Sequence, residues 1–242
     1  MVSMRFIVLA SGKGGVGRTT ITANLGIAIS ELGKSTIIID ASLTTPDLTL
    51  LFKLEKSVYT INDALAGEIS LSEVLHVGPK GVQIATAAMT LKQIRKASPG
   101  HMSRVLREVP DNTDFVIIDA PGGLRSETIA ALRAAREVLL VTTPDMISIS
   151  DCMKARLIAE FLGLTPLGVI LNRVRGDEFE IKSGEIKKIM NLPVLAEIPE
   201  DGSVKEALNK GEPLMVLDPK SPAAKEIMKL AKRLIKTKAQ KA

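Results

Sequence analysis

A doubly wound α/β fold, with a mainly parallel sheet and helices on both faces, is the architecture this sequence predicts. Three observations carry the prediction. Short apolar runs alternate with amphipathic stretches, in units of roughly 20–35 residues. Most of the runs are apolar at successive positions, as strands covered on both faces must be. The first run ends in a glycine-rich turn that opens a helical pattern.

In chain order, Arg5–Ser11 reads as a strand with an FIVLA centre. Thr19–Leu32 reads as a helix, stopped by Gly33 where a left-handed terminal residue is wanted. Ser35–Asp40 is a second strand, STIIID. Further strands are expected at Val82–Ala85, Phe115–Asp119, Val138–Thr142, Leu167–Asn172 and Val194–Ile198. Helical patterns lie between several of them, including Ser150–Leu162 and Ser203–Asn209. No linker, repeat or low-complexity block interrupts the pattern before a lysine-rich end. Residues 1–242 are therefore expected to form a single domain.

Composition narrows the function. Hydrophobic residues make up 45% of 242, enough for one large core, but aromatics are only 2%. The core must be aliphatic, and the stacking platforms that bind single-stranded nucleic acid are not indicated. One cysteine, Cys152, excludes an internal disulfide and argues against a bridging iron–sulfur site. The two histidines, His76 and His101, lack ligand spacing for zinc. No secretory-signal pattern is visible, and no apolar stretch approaches the roughly 20 residues of a membrane span. A cytoplasmic location is expected. The net charge of +5 is concentrated: residues 220–242 carry eight basic groups and one acid, leaving −2 for the rest. Basicity is thus a property of the tail, and nucleic-acid binding is not indicated for the body.

The chemistry begins at Gly12-Lys13-Gly14-Gly15-Val16-Gly17-Arg18-Thr19-Thr20, between the first strand and the first helix. Glycines let consecutive backbone N–H groups converge on phosphate oxygens. The helix N-terminus adds positive potential. The Thr19 hydroxyl is placed to ligate Mg²⁺, and Thr20 suits a more inner phosphate. A glycine-rich turn precedes many helices, but strand, spacing, basic residue and threonine pair occur here together.

KGGVGRTT resembles the deviant Walker A motif of the MinD/ParA family, whose usual form is KGG-x-GK[ST][ST]. The resemblance implies a P-loop NTPase fold that binds ATP or ADP with Mg²⁺. It implies that Lys13 is the signature lysine, which reaches the phosphates of a facing subunit in an ATP-bound homodimer. Two positions depart from the family. Arg18 replaces the lysine that contacts the β- and γ-phosphates, and a planar fork is not equivalent to an ammonium. The family's Asp-x-Asp after strand two reads Asp40-Ala41-Ser42 here. Asp40 is kept near the expected Mg²⁺ shell, whereas Ser42 stands where the resemblance implies an acid beside the attacking water. Asp47 is an alternative for that role; its ordinary reading is as a cap of the LTLLF segment.

Phe115–Asp119 is an apolar strand ending in an acid. An aspartate at the carboxyl end of a parallel strand lies beside the ligand crevice and can hold a metal-bound water, the Walker B role. Gly122 is expected to offer an N–H to the γ-phosphate, making 119–124 a switch loop. The resemblance implies that Asn172, at the end of LGVILNR with Arg173, hydrogen-bonds the adenine, and that the loop with Pro199 and Asp201 wraps the base. Both segments are also ordinary turn chemistry. The resemblance runs from Arg5 to about Ala231.

Near 222–238, Ile227, Leu230, Ala231, Leu234 and Ile235 recur at helical spacing, with Lys229, Lys232, Arg233 and Lys236 mostly opposite. Bacterial MinD proteins end in a membrane-targeting helix of this kind, so peripheral membrane docking is one reading. Packing on the chain's own sheet is the other, and the absence of Phe and Trp from the stripe favours it.

The resemblance therefore implies an ATP-binding switch that dimerises in ATP and hydrolyses it slowly, with Lys13 and Asp40 as catalytic residues and Thr19, Asp40 and Asp119 at Mg²⁺. Such switches act in spatial placement such as cell division or partitioning, with a regulatory protein partner. Arg18 and Ser42 support an alternative, a non-hydrolysing nucleotide-binding regulator. A metabolic relative, such as an amidoligase or synthetase, would need a second-substrate pocket that the sequence does not reveal.

Overall fold

The computed structural model describes residues 4–123 and 125–237. Among them the strands are β1 (Arg5–Ala10), β2 (Thr36–Asp40), β3 (His76–Val77), β4 (Gln83–Ala85), β5 (Phe115–Asp119), β6 (Glu137–Thr142), β7 (Thr165–Val174) and β8 (Val194–Pro199). They form one sheet in the order β3-β4-β2-β5-β1-β6-β7-β8. All neighbours are parallel except β3 and β4. The mostly parallel, doubly wound fold is thus as expected.

Side chains alternate between two cores along the central strands. Val8, Ile37, Ile39, Val116, Ile118, Val138 and Leu140 face one. Ile7, Leu9, Ile38, Ile117, Leu139 and Val141 face the other. Helix α1 (Arg18–Glu31) and the helix Pro222–Lys236 cover the second face, while the helices Ser126–Ala134 and Met146–Phe161 cover the first. Period-two burial on both sides is why these runs read as continuously apolar.

Differences from the sequence reading are local. The helix expected at Ser150–Leu162 starts at Met146, because Asp145 caps it by accepting the Ser148 N–H at 2.9 Å. Strand β7 extends beyond its expected bounds at both ends, and the two-residue β3 was not expected. Asp47 is not a cap. Pro46 holds that position, and no side chain caps the helix Asp47–Leu51.

The C-terminal helix packs inward. Ala223, Ala224, Ile227, Leu230, Ala231 and Leu234 are buried, and Lys225, Lys229, Lys232 and Lys236 are exposed. The expected end at residue 238 lies outside the described residues. At the amino-terminal end of β1, Arg5 pins this helix. Its Nε and Nη2 donate to Glu137 at 2.8 and 2.9 Å, and its Nη1 donates to the Leu234 carbonyl at 2.7 Å. Among the described residues, no helix is long and apolar enough to cross a membrane.

Strand order reverses about β1. The chain leaves β1 for β2 on one side, beyond β5, and later returns to β6 on the other. A crevice at the carboxyl ends of the strands follows from that reversal.

Candidate functional site: a phosphate-binding crevice

The loop after β1 enters α1 through Gly17, whose φ of 87° is left-handed. A Cβ there would lie 2.2 Å from Asn172 Nδ2, so only glycine fits both the dihedral and the neighbour. Asn172 also donates to the Val16 carbonyl at 2.8 Å, clamping the loop. Gly122 packs against the loop from the β5 side, where a Cβ would come within 2.8 Å of Gly14 Cα.

A crevice of about 500 Å³ opens above this loop, lined by residues 14–20, Ser42, Asp47 and Gly122. A second cavity of about 320 Å³ shares Gly17, Thr20 and Arg173 with it and continues past Asn172, Pro199 and Asp201. Of the sequence-predicted phosphate and base residues, 14–20, Gly122, Asn172, Arg173, Pro199 and Asp201 line one continuous groove, and Gly12 and Lys13 do not. Arg173 is exposed, with a left-handed φ of 58°. Asp201 has a structural task as well: it accepts from Ser203 N at 2.9 Å and Ala223 N at 3.0 Å, capping the helix Gly202–Lys210 and joining it to the C-terminal helix. Burial pushes its carboxyl up, but those N–H groups outweigh burial and hold it below the usual range.

The floor of the crevice is acidic. Asp40 and Asp119 are register partners on β2 and β5, and both are fully buried. Asp40 Oδ1 accepts the Ser42 N–H at 2.9 Å, while Oδ2 has no hydrogen-bond partner among the described residues. Burial, then the neighbouring Asp119 charge, raise the Asp40 carboxyl well above its ordinary range. Asp47, at the crevice mouth, is also raised, first by lost hydration and then by Asp119. Asp119 accepts from Thr19 Oγ1 at 2.7 Å, Thr22 Oγ1 at 3.2 Å and Arg18 Nε at 2.9 Å. Arg18 is thus turned into the floor and not toward the open crevice.

Lys13 lies outside both cavity linings. Its Nζ is 3.8 Å from Asp145 Oδ1 and its side chain is 39% exposed, a loose pair that leaves it free to move. Asp145 was missed in the sequence, as were Ser11 and Thr22. An aspartate three residues before Ser148 is a local signal for a helix start, and nothing local links it to Lys13.

The fold and the loop together define a P-loop nucleotide-binding protein. A family model for ParA, described as an NUBPL iron-transfer P-loop NTPase, matches residues 3–235. An uncharacterised ATP-binding protein of Methanocaldococcus jannaschii is 38% identical over 232 residues, spanning 96% of this chain and 88% of that protein. The septum site-determining protein MinD of Pyrococcus horikoshii, solved with Mg-ADP, superposes with a TM-score of 0.92 at 34% identity over 96% of each chain. MinD in the MinC:MinD cell division protein complex of Aquifex aeolicus gives 0.85 at 29% identity over 98% of each chain. The chain belongs to the MinD/ParA-type deviant Walker A P-loop ATPase family. It has the ATP-binding switch architecture general to that family.

Proposed function

We propose that this chain is a cytoplasmic, single-domain switch in which ATP and Mg²⁺ join two copies and slow hydrolysis parts them. Its output is spatial placement, such as division or partitioning, exerted through a regulatory protein partner. The observation that carries this reading is a crevice lined by residues 14–20, with the buried Asp40–Asp119 pair bonded to the loop through Thr19 and Arg18, and Lys13 loosely held nearby. The relative solved with Mg-ADP and the relative solved with MinC supply the analogies for nucleotide and partner.

The donor set fits Mg²⁺. It takes hard oxygen ligands and keeps several waters, so a threonine hydroxyl and two carboxylates beside phosphates suffice. The unpartnered Asp40 Oδ2 is the kind of acceptor that a metal-bound water satisfies. Thr19, Asp40 and Asp119 would hold the ion, which when bound neutralises charge on the phosphate oxygens. The loop amides orient the phosphates, Gly122 closes over Gly14, and Lys13 leaves Asp145 for a facing subunit's phosphates. Asn172, Arg173, Pro199 and Asp201 line the place of the base.

Size-exclusion chromatography with light scattering, in ATP, ADP and no nucleotide, tests the reading, with phosphate release measured on the same samples. ATP alone should give the dimer, and Lys13→Ala should remain monomeric in ATP. A Lys13→Ala protein that dimerises like wild type would sink the role of Lys13. The inward Arg18 favours a second reading, a nucleotide-binding regulator that does not hydrolyse. The same samples then give a dimer without phosphate release.

A further inference from the structure

Two of the three side chains that the nucleotide reading assigns to the metal, Thr19 and Asp119, are already bonded to each other, and a cation already stands beside them. Arg18 Nε donates to Asp119 Oδ1 at 2.9 Å, and Arg18 Nη1 donates to Ser11 Oγ at 2.9 Å. The Ser11 hydroxyl donates onward to the Lys13 carbonyl at 2.8 Å. Thr19 fills the other Asp119 oxygen, and Thr22 adds a second donor to the first. The Arg18 and Asp119 side chains are only 8% and 1% exposed. A lysine ammonium lacks the planar fork that reaches two partners in fixed directions. The arrangement therefore belongs to the arginine that this chain carries in place of the family's lysine.

We propose that Arg18 is a built-in cation that closes the metal position while nucleotide is absent, so that the divalent ion enters with the nucleotide and not before it. The proposal rests on the nucleotide reading of the loop. An ion arriving alone would meet a fixed positive charge in a buried site, where charges repel more strongly than in water. It would also have to strip Asp119 of its donors. Phosphate changes the balance, because its oxygens accept the guanidinium fork in a charge-assisted pair. Arg18 then turns from Asp119 to the phosphates. Asp119 and Thr19 become available together, beside the open oxygen of Asp40. Through Ser11 the same movement loosens the first turn of the loop at Lys13, so filling of the crevice and release of its signature lysine are coupled.

The test uses the full chain stripped of nucleotide, with Mn²⁺ as a paramagnetic stand-in for Mg²⁺, counted by electron paramagnetic resonance. Wild type should bind Mn²⁺ stoichiometrically only when ADP is present. Arg18→Gln, which can keep an N–H where Arg18 Nε stands but is shorter and uncharged, should bind Mn²⁺ without nucleotide at least about tenfold more tightly than wild type. Equally tight binding by nucleotide-free wild type overturns the proposal. So does a folded Arg18→Gln protein that gains nothing. Nitrogen-15 arginine spectra of the wild type do not depend on the folding of Arg18→Gln: the nucleotide-free protein should show a slowly exchanging Arg18 Nε–H, identified by its loss in Arg18→Lys. That resonance should move on saturation with ADP and Mg²⁺; an unmoved resonance overturns the exchange of partners. Calorimetry on the same samples separates the two claims. Failure of ADP to bind defeats the nucleotide reading and the entry order with it, while the nucleotide-free Mn²⁺ comparison still decides whether Arg18 blocks the metal.

Discussion

Arg18 and Asp119 form a buried ion pair, Nε to Oδ1 at 2.9 Å, across the floor of the crevice. The basic residue that should grip the γ-phosphate is therefore directed at the acid that should serve the metal. Ser42, buried at the same crevice, offers a hydroxyl where the family resemblance expects a carboxylate beside the attacking water.

Hydrolysis by the wild type should accordingly be slow. A deficit of about 2.7 kcal/mol in transition-state stabilisation is a hundredfold in rate. Single-turnover assays of wild type, Arg18→Lys, Ser42→Asp and the double variant measure it. The double variant should exceed either single one, because both groups act on one phosphate. Ser42→Asp alone adds a carboxylate next to the already raised Asp40, so its melting temperature must be recorded alongside. Brisk turnover by the wild type would show that Asp40 or Asp47 orients the water instead.

Thr19→Ala should separate nucleotide from metal. Its hydroxyl donates to Asp119 and no loop amide is lost with it. Calorimetry should find ADP affinity without Mg²⁺ unchanged, and affinity with Mg²⁺ weakened by about tenfold, the worth of one good polar contact. Equal affinities of both proteins, with and without Mg²⁺, remove Thr19 from the metal site.

Asp40 should trade stability for ligand binding. Its carboxyl is raised by burial first and by Asp119 second. A carboxyl raised on folding binds more protons in the folded state, so stability falls as pH climbs from the unfolded value, near 4, through the folded one. Asp40→Asn removes that loss. The nucleotide-free variant should melt roughly 2–5 °C higher than wild type at pH 7.5, with the gain shrinking toward pH 4. The same variant should bind Mg²⁺ with ADP more weakly. A melting gain independent of pH would mean that the charge is not what strains the site.

The phosphate loop was legible because its signal is local: glycines, a basic residue and two threonines within residues 12–20, between a strand and a helix. The strands were legible because burial on both faces leaves unbroken apolar runs such as residues 115–118. What escaped was set by contacts distant in sequence. Nothing near Arg18 announces that its fork reaches Asp119 and Ser11, and nothing near Lys13 announces Asp145. β3, two residues long and edge-paired with β4, has too little sequence to show a period. Asp201 and Asn172 read equally as turn formers and groove residues because they do both: each braces backbone and lines the second cavity.

The C-terminal helix yields the last prediction, and it concerns stability before membranes. Its apolar stripe is buried against α1 and the sheet, and Arg5 ties its end to Glu137 through side chains that are 2% and 6% exposed. Arg5→Ala would leave the Glu137 carboxylate buried without its partner, at a cost of about 3–5 kcal/mol. Arg5→Leu with Glu137→Leu should recover much of that loss, because the isolated charge is removed along with its partner. Chemical denaturation of the wild type and the two variants measures it. Deleting residues 225–242 takes Ile227, Leu230 and Leu234 out of the core, so the shortened protein should lose its cooperative transition, and its behaviour on vesicles would report misfolding. Exposed charge is the cleaner probe. Lys225, Lys229, Lys232 and Lys236 all face outward, and serine at these positions should change stability little. With its stripe buried, the helix offers a membrane its exposed charges, these four lysines and Arg233. Any co-sedimentation of the intact chain with anionic vesicles in ATP should therefore be salt-sensitive and lost in the serine variant. Binding that survives both high salt and the serine variant would require the stripe to leave the core, and would reverse this assignment.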